Sequence, residues 1–128
     1  ASAQAGVTGE NLLVALERRL DNVVYRMGFA SSRKQARQLV RHRHVEVNGR
    51  VVDIPSYQVR AGDEVRVASG SRELLPVVAS LESKTRPEVV KWLAVDEATR
   101  TGRVLERPGR ADIPLAVQEQ HIVELYSQ

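Results

Sequence analysis

The 128-residue chain has no cysteine and few aromatic side chains, with one Trp, three Tyr and one Phe. The lack of cysteine excludes disulfides, thiolate zinc sites and cysteine nucleophiles, and it fits a reducing compartment. The aromatic residues are too few and too dispersed for a platform on which single-stranded bases stack. No apolar run is long enough to cross a bilayer, and the first six residues lack the pattern of a signal peptide. We therefore expect a soluble intracellular protein with no membrane partner.

Motifs of catalysis are also missing. The sequence has no glycine-rich phosphate loop and no Gly-x-Ser-x-Gly, and its acidic residues stand singly. His42 and His44 lie close together without a cysteine or a nearby acid to complete a set of metal ligands, and His121 lies in an apolar run. We expect no enzyme, no cofactor, no metal site and no small-molecule substrate.

Positive charge is concentrated in one short segment. The chain has 19 Lys and Arg against 16 Asp and Glu, for a net charge of +3. Six of the bases but only one acid, Glu46, lie between Arg33 and Arg50, so the rest of the chain is slightly acidic, with 13 bases against 15 acids. Clustering of this kind indicates a surface that meets phosphates, although most charged stretches are simply solvated.

Residues 10–27 have the pattern of one amphipathic helix that ends at Gly28. Its apolar stripe, expected in the core, comprises Leu12, Leu13, Leu16, Leu20, Val23, Val24 and Met27. Ser32 and Gln35 then form a capping box that opens a second helix reaching about His42. This second helix has an apolar side of Ala36, Leu39 and Val40 and a basic face of Arg33, Lys34, Arg37 and Arg41. We expect the apolar side to dock on the first helix and the basic face to stay free.

Residues 45–52 have two apolar-rich runs around Asn48-Gly49, a strong signal for a two-residue hairpin turn. A strand is predicted at 64–67, a short helix at 74–81, and further strands at 92–95, 102–105 and 121–126. The predicted fold class is α+β. A flexible N-terminal end (1–8) precedes a helix-helix-β-hairpin RNA-binding module (9–68), which packs with a second small α/β lobe (69–128).

The basic helix and the hairpin after it form the candidate nucleic-acid site. Arginines spaced four residues apart line one edge of a helix, where guanidiniums bind phosphates and release counterions. Residues 42–44 extend this patch beyond the helix. The candidate residues are Arg33, Lys34, Arg37, Arg41, His42, Arg43, His44, Asn48 and Arg50.

Six stretches of the chain are distinctive: GVTGENLL (6–13), RLDNVVYR (19–26), QARQLV (35–40), VNG (47–49), VDIPSY (52–57) and IVELYS (122–127). Together they resemble the family of bacterial small-subunit ribosomal protein four. The likeness is highly specific in the first half and weaker over 69–120. Two departures stand out: the family usually has a further N-terminal region that these residues do not include, and it has glycine where this chain has Arg43.

The resemblance implies a non-catalytic, cytoplasmic ribosomal protein that binds small-subunit ribosomal RNA and assists subunit assembly. It also implies contacts with neighbouring small-subunit ribosomal proteins and, as in some members, with its own messenger RNA in translational self-repression. Two alternatives stay open at this point. One is the RNA-binding accessory domain of an RNA-modifying enzyme, and the other is a protein-interaction module with no role in RNA binding.

Overall fold

The computed structural model describes residues 8–71, 74–83 and 89–109. Its helices are α1 (Thr8–Glu17), α2 (Leu20–Arg26), α3 (Arg33–Arg41) and α4 (Leu75–Glu82), with a short 3-10 turn at Ser69–Ser71. Its strands are β1 (Val45–Val47), β2 (Arg50–Val51), β3 (Glu64–Val67), β4 (Leu93–Asp96) and β5 (Thr101–Val104). Helices together with one antiparallel sheet confirm the α+β class.

The prediction of one helix over residues 10–27 is wrong, because the helix breaks between Glu17 and Leu20. The break allows a remote segment to pair with the backbone there. The Leu20 N–H donates to the Tyr57 carbonyl at 2.8 Å, the Val59 N–H donates to the Arg18 carbonyl at 3.0 Å, and Arg19 forms a bridge with Gln58. The apolar stripe stays in phase across the break, so periodicity could not reveal it.

The stripe also divides at the break. Its α2 members and Met27 lie in the main core with no exposed surface, whereas Leu13 packs with Val14 in a separate small cluster. Leu12 is 37% exposed, so its assignment to the core is wrong. The core prediction holds for the part of the stripe that faces α3 and the sheet.

α2 ends at a glycine as predicted. Gly28 has φ +89°, its N–H donates to the Tyr25 carbonyl, and the Phe29 N–H donates to the Val24 carbonyl. This pair of bonds is the Schellman arrangement, which needs a left-handed residue just past the helix. Ser80 of α4 donates its hydroxyl to the Gly28 carbonyl at 2.6 Å, so the same turn anchors α4.

α3 begins at its predicted cap. The Ser32 hydroxyl accepts from the Gln35 N–H at 3.0 Å, and the Gln35 side chain accepts from the Ser31 N–H at 2.7 Å. Three residues of the predicted apolar side are buried: Ala36, Leu39 and Val40. α3 therefore packs on α2 with the apolar side that the sequence indicates.

The hairpin turn also follows the prediction. Asn48 and Gly49 have φ +52° and +83°, the left-handed pair that a type I′ turn requires. The Asn48 side chain bonds across to the next strand, donating to Asp63 at 3.0 Å and accepting from the Glu64 N–H at 2.9 Å. The turn of the β1–β2 hairpin is thus held against the start of β3.

The sheet runs in the order β2-β1-β3-β5-β4 and crosses the predicted boundary after residue 68. Val65 of β3 pairs with Gly102 of β5, and Trp92 joins the same core as α2 and α3. The predicted strands at 92–95 and 102–105 are confirmed within a residue or two, as is the helix at 74–81. The predicted strand at 121–126, His121 and the end at 1–7 lie outside the described residues.

Within the described part of the chain, no helix is both long enough and apolar enough to span a membrane.

Candidate nucleic-acid interface

The nine candidate residues lie on α3, on the loop after it and on the β1–β2 hairpin. Their exposure divides them into two groups. Arg33, Arg37 and His44 are partly buried, and six are exposed: Lys34, Arg41, His42, Arg43, Asn48 and Arg50. The partly buried side chains are held by neighbours, whereas most of the exposed ones extend into solvent.

Arg33 lies against α2. Its Nε donates to Asn22 Oδ1 at 2.9 Å, and its guanidinium carbon lies 4.7 Å from the centre of the Tyr25 ring. A cation above an aromatic face is attracted to the ring and keeps its positive charge. Arg33 is thus an oriented cation at the edge of the basic face.

Arg37 points toward the same helix. Its Nε lies 3.4 Å from Asp21 Oδ2, and Asp21 also accepts from the Nε and Nη2 of Arg19 at 3.1 Å each. One buried carboxylate therefore serves two guanidiniums and leaves one positive charge in excess. The expectation of a fully free basic face is wrong for Arg33 and Arg37, since a helical projection of α3 alone cannot show what α2 places beside it.

The free part of the face is formed by Lys34, Arg41 and Arg50. All three are exposed, and none is ion-paired with a carboxylate among the described residues. Arg50 of the hairpin extends the basic face of α3, so from here on the basic face comprises Arg33, Lys34, Arg37, Arg41 and Arg50. A cation that has no ion-pair partner inside the protein is available to pair with an external anion.

Arg43 occupies an unusual backbone position. Its N–H donates to the Val40 carbonyl and the His44 N–H to the Leu39 carbonyl, so α3 ends in the same arrangement as α2. At the position of Gly28, however, α3 has an arginine with φ +66°. The side chain is exposed, and its Nη1 lies 3.6 Å from Asp53 Oδ2.

The two histidines beside Arg43 differ in their surroundings. His44 Nδ1 is 2.7 Å from the Ser71 hydroxyl, which ties the loop after α3 to the 3-10 turn, while His42 is exposed and its ring centre lies 6.3 Å from that of His44. The described residues contain no group of three potential metal ligands. His44 is a structural contact in this geometry, and His42 is open to solvent.

A cavity of about 180 Å³ lies beside His42 and His44, between α3 and the start of α4. It is lined by Gln35, Gln38, Leu39, His42, His44, Leu74 and Pro76. Local patterns did not predict this cavity, because its walls come from segments that meet only in the folded chain.

The exposed Asn48 side chain uses one amide hydrogen and one oxygen lone pair for bonds within the protein, and it keeps one of each. Its amide nitrogen donates to Asp63 and its amide oxygen accepts from Glu64. Its contribution to the site is the shape of the hairpin turn. Sequence reasoning also missed Arg19 and Asp21, which orient Arg37, because no local signal relates the start of α2 to the middle of α3.

Residues 18–65 match the model of the S4 domain. This match covers α2, α3, the hairpin and the first half of β3, and so includes every candidate residue.

The whole chain is similar to bacterial proteins named small ribosomal subunit protein uS4. It is 57% identical to uS4A of Symbiobacterium thermophilum over 128 residues, covering all of this chain and 61% of that protein. It is 53% identical to uS4 of Thermus thermophilus, again over the whole chain and 61% of the relative, and 54% identical to uS4 of Geotalea uraniireducens over 96% of the chain and 59% of the relative. The chain thus spans about three fifths of the length of these relatives.

Proposed function

The chain belongs to the uS4 family, and the residues that match the S4 domain contain the basic face. We therefore propose that it binds small-subunit ribosomal RNA as a non-catalytic part of the small ribosomal subunit. The nine candidate residues form the site, with unequal roles. Lys34, Arg41 and Arg50 bind phosphates directly, and Arg33 and Arg37 add oriented positive charge. Asn48 and His44 hold the hairpin and the loop in shape.

One observation carries this proposal. A packed two-helix base holds several cations on one helix and hairpin, and Lys34, Arg41 and Arg50 have no carboxylate partner among the described residues. Phosphate groups replace the counterions of such a surface, and the released ions give an affinity that falls steeply with salt. A protein-interaction module without RNA would not need this uncompensated charge.

The proposal extends to the setting of such a protein. As part of the subunit the chain acts in the cytoplasm, assists ribosome assembly and contacts neighbouring small-subunit ribosomal proteins. Binding to its own messenger RNA, with repression of translation, is a further role that the family resemblance supports.

The test is a double variant, Lys34→Gln with Arg41→Gln, titrated with a transcript of bacterial small-subunit ribosomal RNA at several salt concentrations. Arg37 is a poor choice, since a glutamate there would face Asp21 and disturb the α2–α3 contact. Each lost phosphate contact lowers the slope of log K against log salt by about 0.9, so two contacts weaken binding on the order of 30-fold at 0.15 M salt.

The control is Lys91→Gln with Arg103→Gln, which removes the same charge from exposed positions at the other end of the sheet, where Arg103 lies 3.6 Å from the Glu64 carboxylate. It should change the affinity less than about twofold and leave the salt slope almost unchanged, because no phosphate contact is lost. Equal behaviour of the two double variants would contradict the role of the basic face.

A further inference from the structure

A second group of arginines lies where three distant parts of the chain meet. Arg18, at the break between α1 and α2, makes two hydrogen bonds with Val59. Its side-chain Nε donates to the Val59 carbonyl at 2.9 Å, and its backbone carbonyl accepts from the Val59 N–H at 3.0 Å. Arg60 is the next residue in the chain. The helix break therefore brings these two arginines together.

The third arginine comes from the segment after β5. The Gly62 N–H donates to the Val104 carbonyl at 2.7 Å, and the Val104 N–H donates to the Asp63 carbonyl at 2.9 Å. These bonds join the turn that follows Arg60 to the end of β5. Arg107, three residues further along, thereby comes within electrostatic range of Arg18.

The charge of this group is not neutralised internally. Burial, followed by the nearby guanidiniums of Arg107 and Arg60, lowers the pKa of Arg18 below its usual value, and only Asp63 opposes this effect. The Asp63 carboxylate already accepts from the Asn48 amide and from the Arg60 N–H at 2.9 Å. None of the three arginines forms an ion pair within the part of the chain that the structure describes.

We infer that Arg18, Arg60 and Arg107 form a second phosphate-binding site, separate from the basic face, that takes the sugar-phosphate backbone of the bound RNA. Three like charges that the fold holds together repel one another, and an anion between them removes that repulsion. The backbone bonds of Val59 and Val104 hold the three segments together before binding, so the main entropy lost when the phosphate arrives is that of the exposed Arg60 and Arg107 side chains.

The two surfaces are joined through the start of α2. Arg18 belongs to the second site, and the adjacent Arg19 pairs with Asp21, which in turn pairs with Arg37 of the basic face. Only Arg19 and Asp21 therefore separate the second site from α3. This chain of contacts places the second site next to the basic face, so an RNA bound to the face could continue onto it, and the inference rests on the proposed function to that extent.

The experiment uses the double variant Arg60→Gln with Arg107→Gln, because both side chains are exposed and neither makes a hydrogen bond or ion pair within the part of the chain that the structure describes. Arg18 is left unchanged, since it bonds to Val59. The variant is titrated with the same ribosomal RNA transcript over the same salt series. We expect binding on the order of 30-fold weaker at 0.15 M salt and a slope lower by about 1.8, as for two lost phosphate contacts.

The control is again Lys91→Gln with Arg103→Gln. If the Arg60 and Arg107 variant matched this control in affinity and slope while the Lys34 and Arg41 variant lost affinity, the second site would be refuted and the proposed function would stand. If the unaltered chain failed to bind the transcript, the proposed function itself would fail. An unchanged thermal midpoint shows that any loss of affinity belongs to the site and not to the fold.

Discussion

Replacing Arg43 by glycine should stabilise the protein while weakening its binding to RNA. Arg43 stands just past α3 at φ +66°, where a residue with a Cβ carries a cost of about 1–2 kcal/mol that glycine does not. Glycine also has more conformational freedom in the unfolded chain, and this offsets about 0.5–1 kcal/mol of the stabilisation. The contact with Asp53 is 3.6 Å long between exposed groups, so its loss costs well under about 1 kcal/mol.

Alanine at the same position separates backbone strain from charge. Arg43→Ala loses the charge and the Asp53 contact but keeps the left-handed strain. Arg43→Gly should therefore exceed Arg43→Ala in unfolding free energy by about 0.5–1 kcal/mol. For a chain of this size the difference corresponds to about 2–4 °C in the thermal midpoint.

Urea unfolding of the three proteins measures this difference directly, provided that the dependence on urea is the same for each. Both variants should lose RNA affinity equally, by about fivefold at 0.15 M salt for one phosphate contact. A glycine variant no more stable than the alanine variant would refute the strain at residue 43. Unequal RNA affinities would refute the assignment of its role to charge.

Two further predictions concern the scaffold. Gly102→Ala should lower the unfolding free energy by about 1–3 kcal/mol, because the added Cβ would lie 2.6 Å from Cε of the buried Met27. Urea unfolding measures this change, and an unchanged midpoint would contradict the close packing of β5 on Met27. Ser32→Ala should cost about 1 kcal/mol through loss of the cap to the Gln35 N–H, and the serine should be replaceable by aspartate with little loss; equal stability of the alanine and serine proteins would show that the cap is unimportant.

Local chemistry explains which parts of the fold could be predicted. The hairpin depends on Asn48 and Gly49, which adopt positive φ at small cost. The start of α3 depends on the Ser32 hydroxyl, which accepts from the Gln35 N–H three residues further along. The glycine after α2 ends the helix for the same kind of reason. Such signals need only a few consecutive residues, so the sequence alone carries them.

The features that were missed depend on residues far apart in the chain. The break before Leu20 is held by backbone bonds from Tyr57 and Val59, which no periodicity within 10–27 could reveal. The inward turn of Arg37 depends on Asp21 of another helix. In each case a tertiary contact overrides a local pattern.

The candidate site shows the same division. Clustering of positive charge indicated α3 and the hairpin as the candidate site, but periodicity could not separate free cations such as Lys34 and Arg41 from those held by α2. The arginines of the second site are spread over ninety residues of sequence, so no window of the chain could indicate that they meet.

The most direct test of RNA binding through the basic face is photo-crosslinking of the chain to small-subunit ribosomal RNA, followed by mapping of the attached peptides. If the RNA is bound as proposed by the basic face and the hairpin, crosslinks should concentrate in residues 33–50 and disappear in excess salt. Crosslinks confined to residues 89–99, which include β4, with none in α3 or the hairpin, would contradict RNA binding through the basic face.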